Sequence, residues 1–255
     1  MIHPTAIIDP KAQVASDVEI GAYSVIGPDV VIGSGCVISP HVVIKGPSVI
    51  GTNNRFFQFG SIGEDCQDKK YRGEPTRLEI GNDNVFREGV TVHRGTVQDE
   101  GLTRIGSGNL FMAYAHVAHD CVIGDNCIMA NQATLGGHVV LGDYAILGGL
   151  AAVHQFCHIG AHAMVGGLSA ITMDVVAYVM VNGNPAHTHG INAEGLKRRG
   201  FDAAAIATLR DAYKKVFRSQ LKLAESIEAL ERETPSAALQ VFIDSLKNSS
   251  RGITR

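Results

Sequence analysis

IGAYSVIGPDVVIGSGCVISPHVVIKGPSVIG, from Ile20 to Gly51, repeats with a period of six residues. An isoleucine occupies every sixth position, namely Ile20, Ile26, Ile32, Ile38, Ile44 and Ile50. Glycine often follows it, which marks a turn that needs a permissive backbone. A period of six matches neither an amphipathic α-helix nor an alternating β-strand. The stretch instead predicts a short strand followed by a corner, with the isoleucine pointing inward.

The same count covers most of the chain. It runs unbroken from Ile2 to Ile62, returns in phase at Ile80, and continues one residue out of phase from Ile105 to Ile171. Three such units make one triangular coil of about 18 residues, and stacked coils pair their strands about 4.8 Å apart. We therefore predict a mainly β fold over residues 1–190, a parallel solenoid with three faces.

Two polar insertions interrupt the count, near residues 63–79 and 98–104. The first preserves the phase and the second moves it by one residue. Long polar loops on a rigid stack commonly carry binding residues.

The six-residue count ends near Asn192, and helical spacing follows at Leu209, Tyr213 and Val216. Residues 191–255 are therefore predicted to form a small helical domain, in which Pro235 separates two helices. The terminal SSRGITR is expected to fray.

Composition excludes several classes of function. The net charge is −3, aromatic residues make up 6% and tryptophan is absent, so a basic nucleic-acid surface with stacking rings is not expected. The N-terminus lacks a secretory signal pattern, and the chain lacks an apolar run of about 18 residues, so we expect a cytoplasmic protein without stable membrane insertion. Four of the five cysteines share a small-residue position of the repeat, which indicates buried thiols: Cys36, Cys121, Cys127 and Cys157.

Four histidines are predicted to cluster. Residues one coil apart lie above one another, so His119 lies below Gly137 and its neighbour His138, and His138 lies below Phe156, close to His154. Together with His116, this places four imidazoles in about three adjacent coils. Imidazole titrates near neutrality, and an adjacent carboxylate fixes its tautomer, so His119 is a candidate general base oriented by Asp120. Histidines outside this cluster are interpreted as structural: His3, His41, His93, His158 and His162.

Several motifs, taken in order, carry a resemblance: HVAHDCVIGDNCIMANQATLGGHV, AAVHQFCHIGAHAMVGG and INAEGLKRRGF, with QDKKYRGEPTR and HRGT. They resemble the UDP-N-acetylglucosamine 3-O-acyltransferase family of hexapeptide-repeat transferases over essentially the whole chain. The resemblance implies a left-handed parallel β-helix with a C-terminal helical domain, assembled as a homotrimer with active sites between subunits. It also implies that a 3-hydroxyacyl chain, 3-hydroxymyristoyl, passes from acylated acyl carrier protein to the 3-hydroxyl of UDP-N-acetylglucosamine, the first step of lipid A biosynthesis, without metal or cofactor.

The resemblance also assigns roles. His119 is the base, Asp120 orients it, and the Gly137 N–H faces the developing oxyanion, although turn geometry alone also explains a glycine there. Substrate-binding residues carried over are Gln67, Asp68, Lys70, His116, His138, His154, Gln155, Asn192, Glu194, Arg198 and Arg199. For the last four, a capped, solvated helical turn is the alternative. Gly167 resembles the residue that sets acyl-chain length, but is also an ordinary repeat glycine. Pro185 departs from the family, whose well-known members have a histidine there.

Three other functions remain open from the sequence. Another sugar acyltransferase could use the same solenoid. A zinc lyase of the γ-carbonic anhydrase type would place histidines from two subunits around a metal. A non-catalytic scaffold is also compatible with the repeat, but it gives no reason for the histidine cluster.

Overall fold

Residues 1–191 form a parallel β-helix with three faces, in a computed structural model that describes residues 1–233 and 236–255. Strands in successive coils pair in the register that the repeat predicts, as for His116 with Thr134 and Thr134 with Ala152. The predicted triangular coil is therefore present.

Short strands build each face. The first face contains Ile7–Ile8, Val25–Ile26, Val43–Ile44, Ser61–Glu64, Thr91–His93, His116–Val117, Thr134–Leu135, Ala152–Val153 and Ala170–Ile171. The second contains Gln13–Val14, Val30–Ile32, Ser48–Ile50, Arg77–Ile80, Leu102–Ile105, Val122–Ile123, Val140–Leu141 and His158–Ile159. The third contains Glu19–Ile20, Val37–Ile38, Arg55–Phe56, Val85–Phe86, Leu110–Phe111, Ile128–Met129, Ile146–Leu147, Met164–Val165, Val179–Asn182 and His187–Ile191. Only this final strand pairs antiparallel within the described residues.

The core is a column of inward-facing side chains at the predicted six-residue positions. Aliphatic members away from the first coil, such as Ile44 and Leu147, are completely buried. Three phenylalanines, Phe56, Phe86 and Phe111, stack in consecutive coils with ring centroids 4.8 and 4.7 Å apart. The four repeat cysteines are buried free thiols, as predicted.

Both insertions leave the same corner. The first connects Glu64 to Arg77 and the second connects His93 to Leu102, so each joins the first face to the second. Across the first insertion Ser61 pairs with Thr91, and across the second Thr91 pairs with His116, so both coils are longer than the ordinary one. The twelve extra residues of the first coil are two full repeats and keep the phase, whereas the seven extra residues of the second shift it by one.

In the described part of the chain, four helices follow the solenoid: α1 (Ala193–Arg198), α2 (Ala203–Phe217), α3 (Leu223–Glu231) and α4 (Ala237–Lys247). The side chains of Asn192, Asp202 and Ser236 cap α1, α2 and α4. The completely buried Leu209, Val216 and Phe242 form the apolar interior of this domain. Pro235, predicted to separate two helices, lies outside the described residues.

The C-terminal tail is ordered, so the expectation that it frays is wrong. The buried carboxylate of Asp174 accepts hydrogen bonds from the Ser249 hydroxyl and from the backbone N–H groups of Ser250 and Arg251, at 2.8, 2.9 and 3.1 Å. These bonds tie the tail to the last coil.

Among the described residues, every helix is too short or too polar to cross a lipid bilayer.

Replacing the central ring of the phenylalanine column tests this core. Phe86→Ala leaves a cavity between two rings, so we expect the free energy of unfolding to fall by about 3–5 kcal/mol. Urea unfolding followed by circular dichroism measures the loss. Val49→Ala, at an outward position that is 50% exposed, serves as the control and should change stability by less than about 0.5 kcal/mol. Equal losses in the two variants would contradict the inward packing of Phe86.

Candidate active site

Most of the histidines singled out above, with Asp120 and Gln155, meet where the first face turns into the second, which we call the active-site corner. Three successive coils contribute His119 with Asp120, Gly137 with His138, and Gln155 with Phe156. Backbone hydrogen bonds of 3.0 Å join His138 N–H to His119 O and Phe156 N–H to Gly137 O. Asp120, His138 and Phe156 all have positive φ, between 57° and 65°, which turns the chain sharply at each level.

The imidazole of His119 is held by a buried carboxylate. Its Nδ1 lies 2.8 Å from Oδ2 of Asp120, which is only 4% exposed. Asp120 also accepts hydrogen bonds from the Thr96 N–H (2.8 Å) and hydroxyl (2.6 Å), and its own N–H donates to the Thr103 hydroxyl. Burial acts to raise the pKa of Asp120, but the hydrogen bonds from His119 and Thr96 outweigh it and hold that pKa below its ordinary value. Asp120 is therefore a fixed anion that keeps the His119 Nδ1 proton in place.

His138 makes a second carboxylate–imidazole pair. Its Nδ1 lies 2.8 Å from Oδ2 of Asp99, in the second insertion. The ring stacks on Phe156 with centroids 4.3 Å apart and meets the His119 ring edge-on at 5.1 Å.

Gly137 brings its backbone against the His119 ring. A Cβ at this position would lie 2.5 Å from Cε1 and 2.6 Å from Nε2 of His119, so a side chain would displace the imidazole. Glycine is therefore required here by close approach, and not only by the turn.

His116 and His93 line a cavity of about 420 Å³ beside His119. The rings of His93 and His116 lie 5.0 Å apart, edge to face, and His116 Nδ1 lies 2.7 Å from the Thr91 hydroxyl. Burial and then the nearby His116 lower the pKa of His93 to about 4, and burial with the nearby His119 lowers the pKa of His116. Both imidazoles are consequently neutral at physiological pH.

The first insertion folds over this corner in the same chain. Gln67 and Asp68 line the cavity next to His116, and Asp68 and Lys70 line a second cavity of about 420 Å³ next to His119 and His138. Gln155 lines both cavities. His154 lies at the same corner but is exposed, with Nδ1 3.0 Å from the carbonyl oxygen of Gln155.

The remaining predicted residues lie at other corners of the β-helix. Asn192 is buried and caps α1, accepting a hydrogen bond from Gly195 N–H, while its amide donates to His162 O between the second and third faces. Arg199 lies 3.3 Å from Nδ1 of His162 and over the Tyr144 ring. Glu194 and Arg198 form an exposed ion pair on α1.

Gly167 is exposed between the third and first faces, where a Cβ would lie 3.1 Å from Gly149 O. One chain therefore does not bring Gly167, or the four residues on and around α1, to His119.

Sequence analysis missed four residues that organise the corner. Thr96 holds Asp120, Asp99 holds His138, and His93, interpreted as structural, lines a cavity. The buried guanidinium of Arg94 donates to Gly63 O and the Asp65 carboxylate, which fastens the first insertion. Three of the four belong to the HRGT motif, so that motif was the available signal. Asp99 had none.

His119, Asp120 and His138 offer donor atoms within 4.8 Å of one another, which is a possible metal-binding geometry. Part of this donor set is engaged in hydrogen bonds, since Asp120 accepts from Thr96 and pairs with His119, and Nδ1 of His138 pairs with Asp99. These pairings orient the His119 ring for acid–base chemistry.

Family models define the class of protein first. A model of the bacterial transferase hexapeptide matches residues 1–34 and 102–137, and one described as Udp N-acetylglucosamine O-acyltransferase, Domain 2, matches residues 174–254. Together with the three-faced β-helix and its histidine-lined corner, these matches define a hexapeptide-repeat acyltransferase.

Similar proteins narrow the class to one family. An acyl-[acyl-carrier-protein]–UDP-N-acetylglucosamine O-acyltransferase from Stutzerimonas stutzeri is 56% identical, over 100% of this chain and 99% of the relative. The LpxA structure from Acinetobacter baumannii is 53% identical with a TM-score of 0.98, over 100% and 99% of the two chains. The UDP-N-acetylglucosamine acyltransferase from Arabidopsis is 35% identical with a TM-score of 0.87, over 100% of both. The chain belongs to the UDP-N-acetylglucosamine O-acyltransferase family.

Family membership confirms the resemblance and the predicted fold class, a left-handed parallel β-helix of hexapeptide repeats with a C-terminal helical domain. It also favours acyl transfer over the zinc lyase considered from the sequence.

The pKa of His93 predicts part of the acid sensitivity of the fold. Because folding lowers this pKa from 6.5 to about 4, the unfolded chain takes up the proton first as the pH falls. His93 therefore does not reduce the free energy of unfolding above pH 6.5. It reduces that free energy progressively as the pH falls from 6.5 towards 4. The full loss is about 3 kcal/mol. Urea unfolding at pH 7 and pH 4.5 should show a smaller difference for His93→Gln than for the wild type. The exposed His3→Gln provides the control; a His93→Gln difference equal to that of the wild type would be incompatible with this assignment.

Proposed function

We propose that this chain transfers a 3-hydroxyacyl group from acyl carrier protein to the 3-hydroxyl of UDP-N-acetylglucosamine, the first step of lipid A biosynthesis. The observation that carries the proposal is the His119–Asp120 pair, fixed by Thr96 and facing the backbone of Gly137. The relatives from Stutzerimonas stutzeri and Arabidopsis are named as UDP-N-acetylglucosamine acyltransferases, and the first name also gives acyl carrier protein as the acyl donor.

The proposed mechanism is direct transfer by general-base catalysis. With the Nδ1 proton held by Asp120, the His119 Nε2 lone pair is free to remove the proton of the sugar hydroxyl. The hydroxyl oxygen attacks the thioester carbonyl, and the N–H of Gly137, whose backbone lies against the His119 ring, stabilises the oxyanion. Collapse of this intermediate breaks the carbon–sulfur bond, and the carrier thiolate takes the proton from His119. A donor of this kind contributes about 3–4 kcal/mol in other acyl transfers.

Substrate-binding roles follow from the two cavities beside His119. We assign the glucosamine and the acyl group near the thioester to residues that line these cavities or lie at the same corner: Gln67, Asp68, Lys70, His116, His138, His154 and Gln155. Asn192, Glu194, Arg198 and Arg199 are assigned to the nucleotide. For Asn192, the cap on α1 makes its role the placement of that helix, while Arg199 presents the guanidinium suited to a diphosphate.

The proposed active unit is a homotrimer. Large apolar side chains line the corner between the third and first faces, and each is at least half exposed: Tyr23, Phe59, Tyr114, Leu150 and Leu168. A row of exposed apolar side chains of this kind, although His41 and Gln132 interrupt it, is typical of a protein interface. We call this row the apolar stripe. Gly167 lies on this stripe, so a second copy packed there would bring Gly167 to the active-site corner of its neighbour.

The base role is tested by His119→Ala, assayed with UDP-N-acetylglucosamine and a series of 3-hydroxyacyl carrier proteins. Because the imidazole acts in the transition state, kcat should fall about 10²–10⁴-fold. Circular dichroism and the molar mass in solution should not change. His3→Ala, an exposed histidine far from the corner, is the matched control. Undiminished turnover in His119→Ala would remove His119 from this role.

Acyl-chain length is tested at Gly167. A bulky side chain would fill the end of the groove between subunits, so Gly167→Met should shift the preference to a shorter acyl chain. Each methylene that can no longer be buried costs about 0.8 kcal/mol. The measurement is kcat/KM across the acyl series, with Gly149→Met, one coil below on the same corner, as the control. An unchanged preference in Gly167→Met would assign the end of the groove elsewhere.

A further inference from the structure

The second insertion contacts the active-site corner through two residues. Thr96 binds the Asp120 carboxylate through its N–H and its hydroxyl. Three residues later, the Asp99 carboxylate lies 2.8 Å from Nδ1 of His138. The mechanism above uses only the first of these contacts, so the second has no assigned purpose.

We propose that Asp99 is a positioning residue for acyl transfer. Its carboxylate holds a proton on Nδ1 of His138 and so leaves Nε2 of that ring as a hydrogen-bond acceptor inside the substrate cavity. The inference rests on the proposed function, because His138 is assigned there to the substrate.

The Asp99 carboxylate is itself oriented by its own turn. Its Oδ1 accepts a hydrogen bond of 3.0 Å from the Glu100 N–H, which leaves Oδ2 directed at His138. The N–H groups of Asp99 and Gly101 both donate to Thr96 O, at 3.2 and 3.1 Å. The turn that aims Asp99 is therefore closed on Thr96, the residue that holds the Asp120 side chain. One short loop thus sets the orientation of both histidines.

The ring of His138 has little other freedom. It stacks on Phe156 with an interplanar angle of 7°, and its edge meets His119 at 89°. Its Nε2 lies 3.7 Å from Oδ2 of Asp120, which is too far for a hydrogen bond. With the proton on Nδ1, an acceptor atom faces an anionic oxygen across this gap. A hydroxyl group of the substrate that donates its proton to Nε2 would satisfy this acceptor.

The tautomer of His138 matters because the same ring can present either a donor or an acceptor. Charged groups lie on both sides of it. Asp68 and Lys70 of the first insertion line the cavity that His119 and His138 also line. Glu100, Arg104 and Asp120 line another cavity that His138 also borders. Among the acids, Asp99 and Asp120 approach the ring nitrogens within 4 Å, and only Asp99 at hydrogen-bond distance.

The size of the effect follows from exposure. The side chain of Asp99 is 47% exposed, whereas that of His138 is 13% exposed. Water therefore competes for the carboxylate, and the loss on removing it should be moderate. We expect kcat to fall about tenfold, the lower end of what residues that orient a reacting group contribute.

The experiment compares Asp99→Ala, Asp99→Asn and Glu100→Ala in the full-length protein. Nitrogen-15 spectra of the imidazole rings, recorded where His138 is neutral, report its tautomer. Steady-state assays with UDP-N-acetylglucosamine and 3-hydroxyacyl carrier protein give kcat and KM separately. The wild type should show His138 with the proton on Nδ1.

Asp99→Ala should lose this tautomer signature together with the tenfold fall in kcat, and KM should rise as well, because Nε2 no longer accepts a hydrogen bond from the substrate. Asp99→Asn retains an oxygen acceptor and should recover both the tautomer and most of the activity. Glu100→Ala removes the neighbouring acid of the same turn and should behave as the wild type.

Two results would overturn the role of Asp99: an unchanged His138 spectrum in Asp99→Ala, or the same loss of kcat in Glu100→Ala. Failure of the wild type to acylate UDP-N-acetylglucosamine would instead reject the proposed function. The spectra would still show whether Asp99 sets the tautomer, so the two failures are distinguishable.

Discussion

The structure depends on one constraint, the vertical register that pairs each residue with its equivalent one full coil later in the chain. Each strand is only two to five residues long, so the hydrogen bonds within one coil are those of its corners, such as Ala133 N–H to Ala130 O. The strand N–H and C=O groups of each coil are satisfied by the coils above and below, and its inward side chain packs on equivalents such as Ile44 and Leu147. A coil is therefore stable only in register, and register fixes which corner residues become neighbours.

The register brings the active-site residues together, but it does not by itself orient their side chains. Stacking alone brings His119, Gly137 and His138 together, because their backbone bonds join consecutive levels. What converts two imidazoles into oriented groups is a pair of side chains from the second insertion, Thr96 and Asp99. The stacked coils thus position the two imidazole rings, and the second insertion determines which ring nitrogen carries the proton.

Much of the fold could be predicted because the period is carried by many residues at once. The coil length, the buried cysteines and the neighbours of His119 all follow from counting in repeats and in coils. Counting fails inside the insertions, where a coil is longer than three repeats and the path of the loop depends on its own hydrogen bonds. Asp99 was missed for this reason. Counting also leaves Gly167 and Arg199 apart from His119 within one chain, because the proposed homotrimer is not specified by any pattern within one sequence.

The two ends of the β-helix differ. At the C-terminal end, the strand His187–Ile191 runs against its neighbour, and the tail is clamped to Asp174. At the N-terminal end, the first coil leaves Met1, Ile2 and Ile7 at least half exposed. A parallel ladder is otherwise a template for its own continuation, since every terminal strand offers unpaired backbone groups to a further strand. The reversal of chain direction, with the helices behind it, makes one terminus of the ladder unable to serve as that template, so copies cannot join head to tail into an endless fibre.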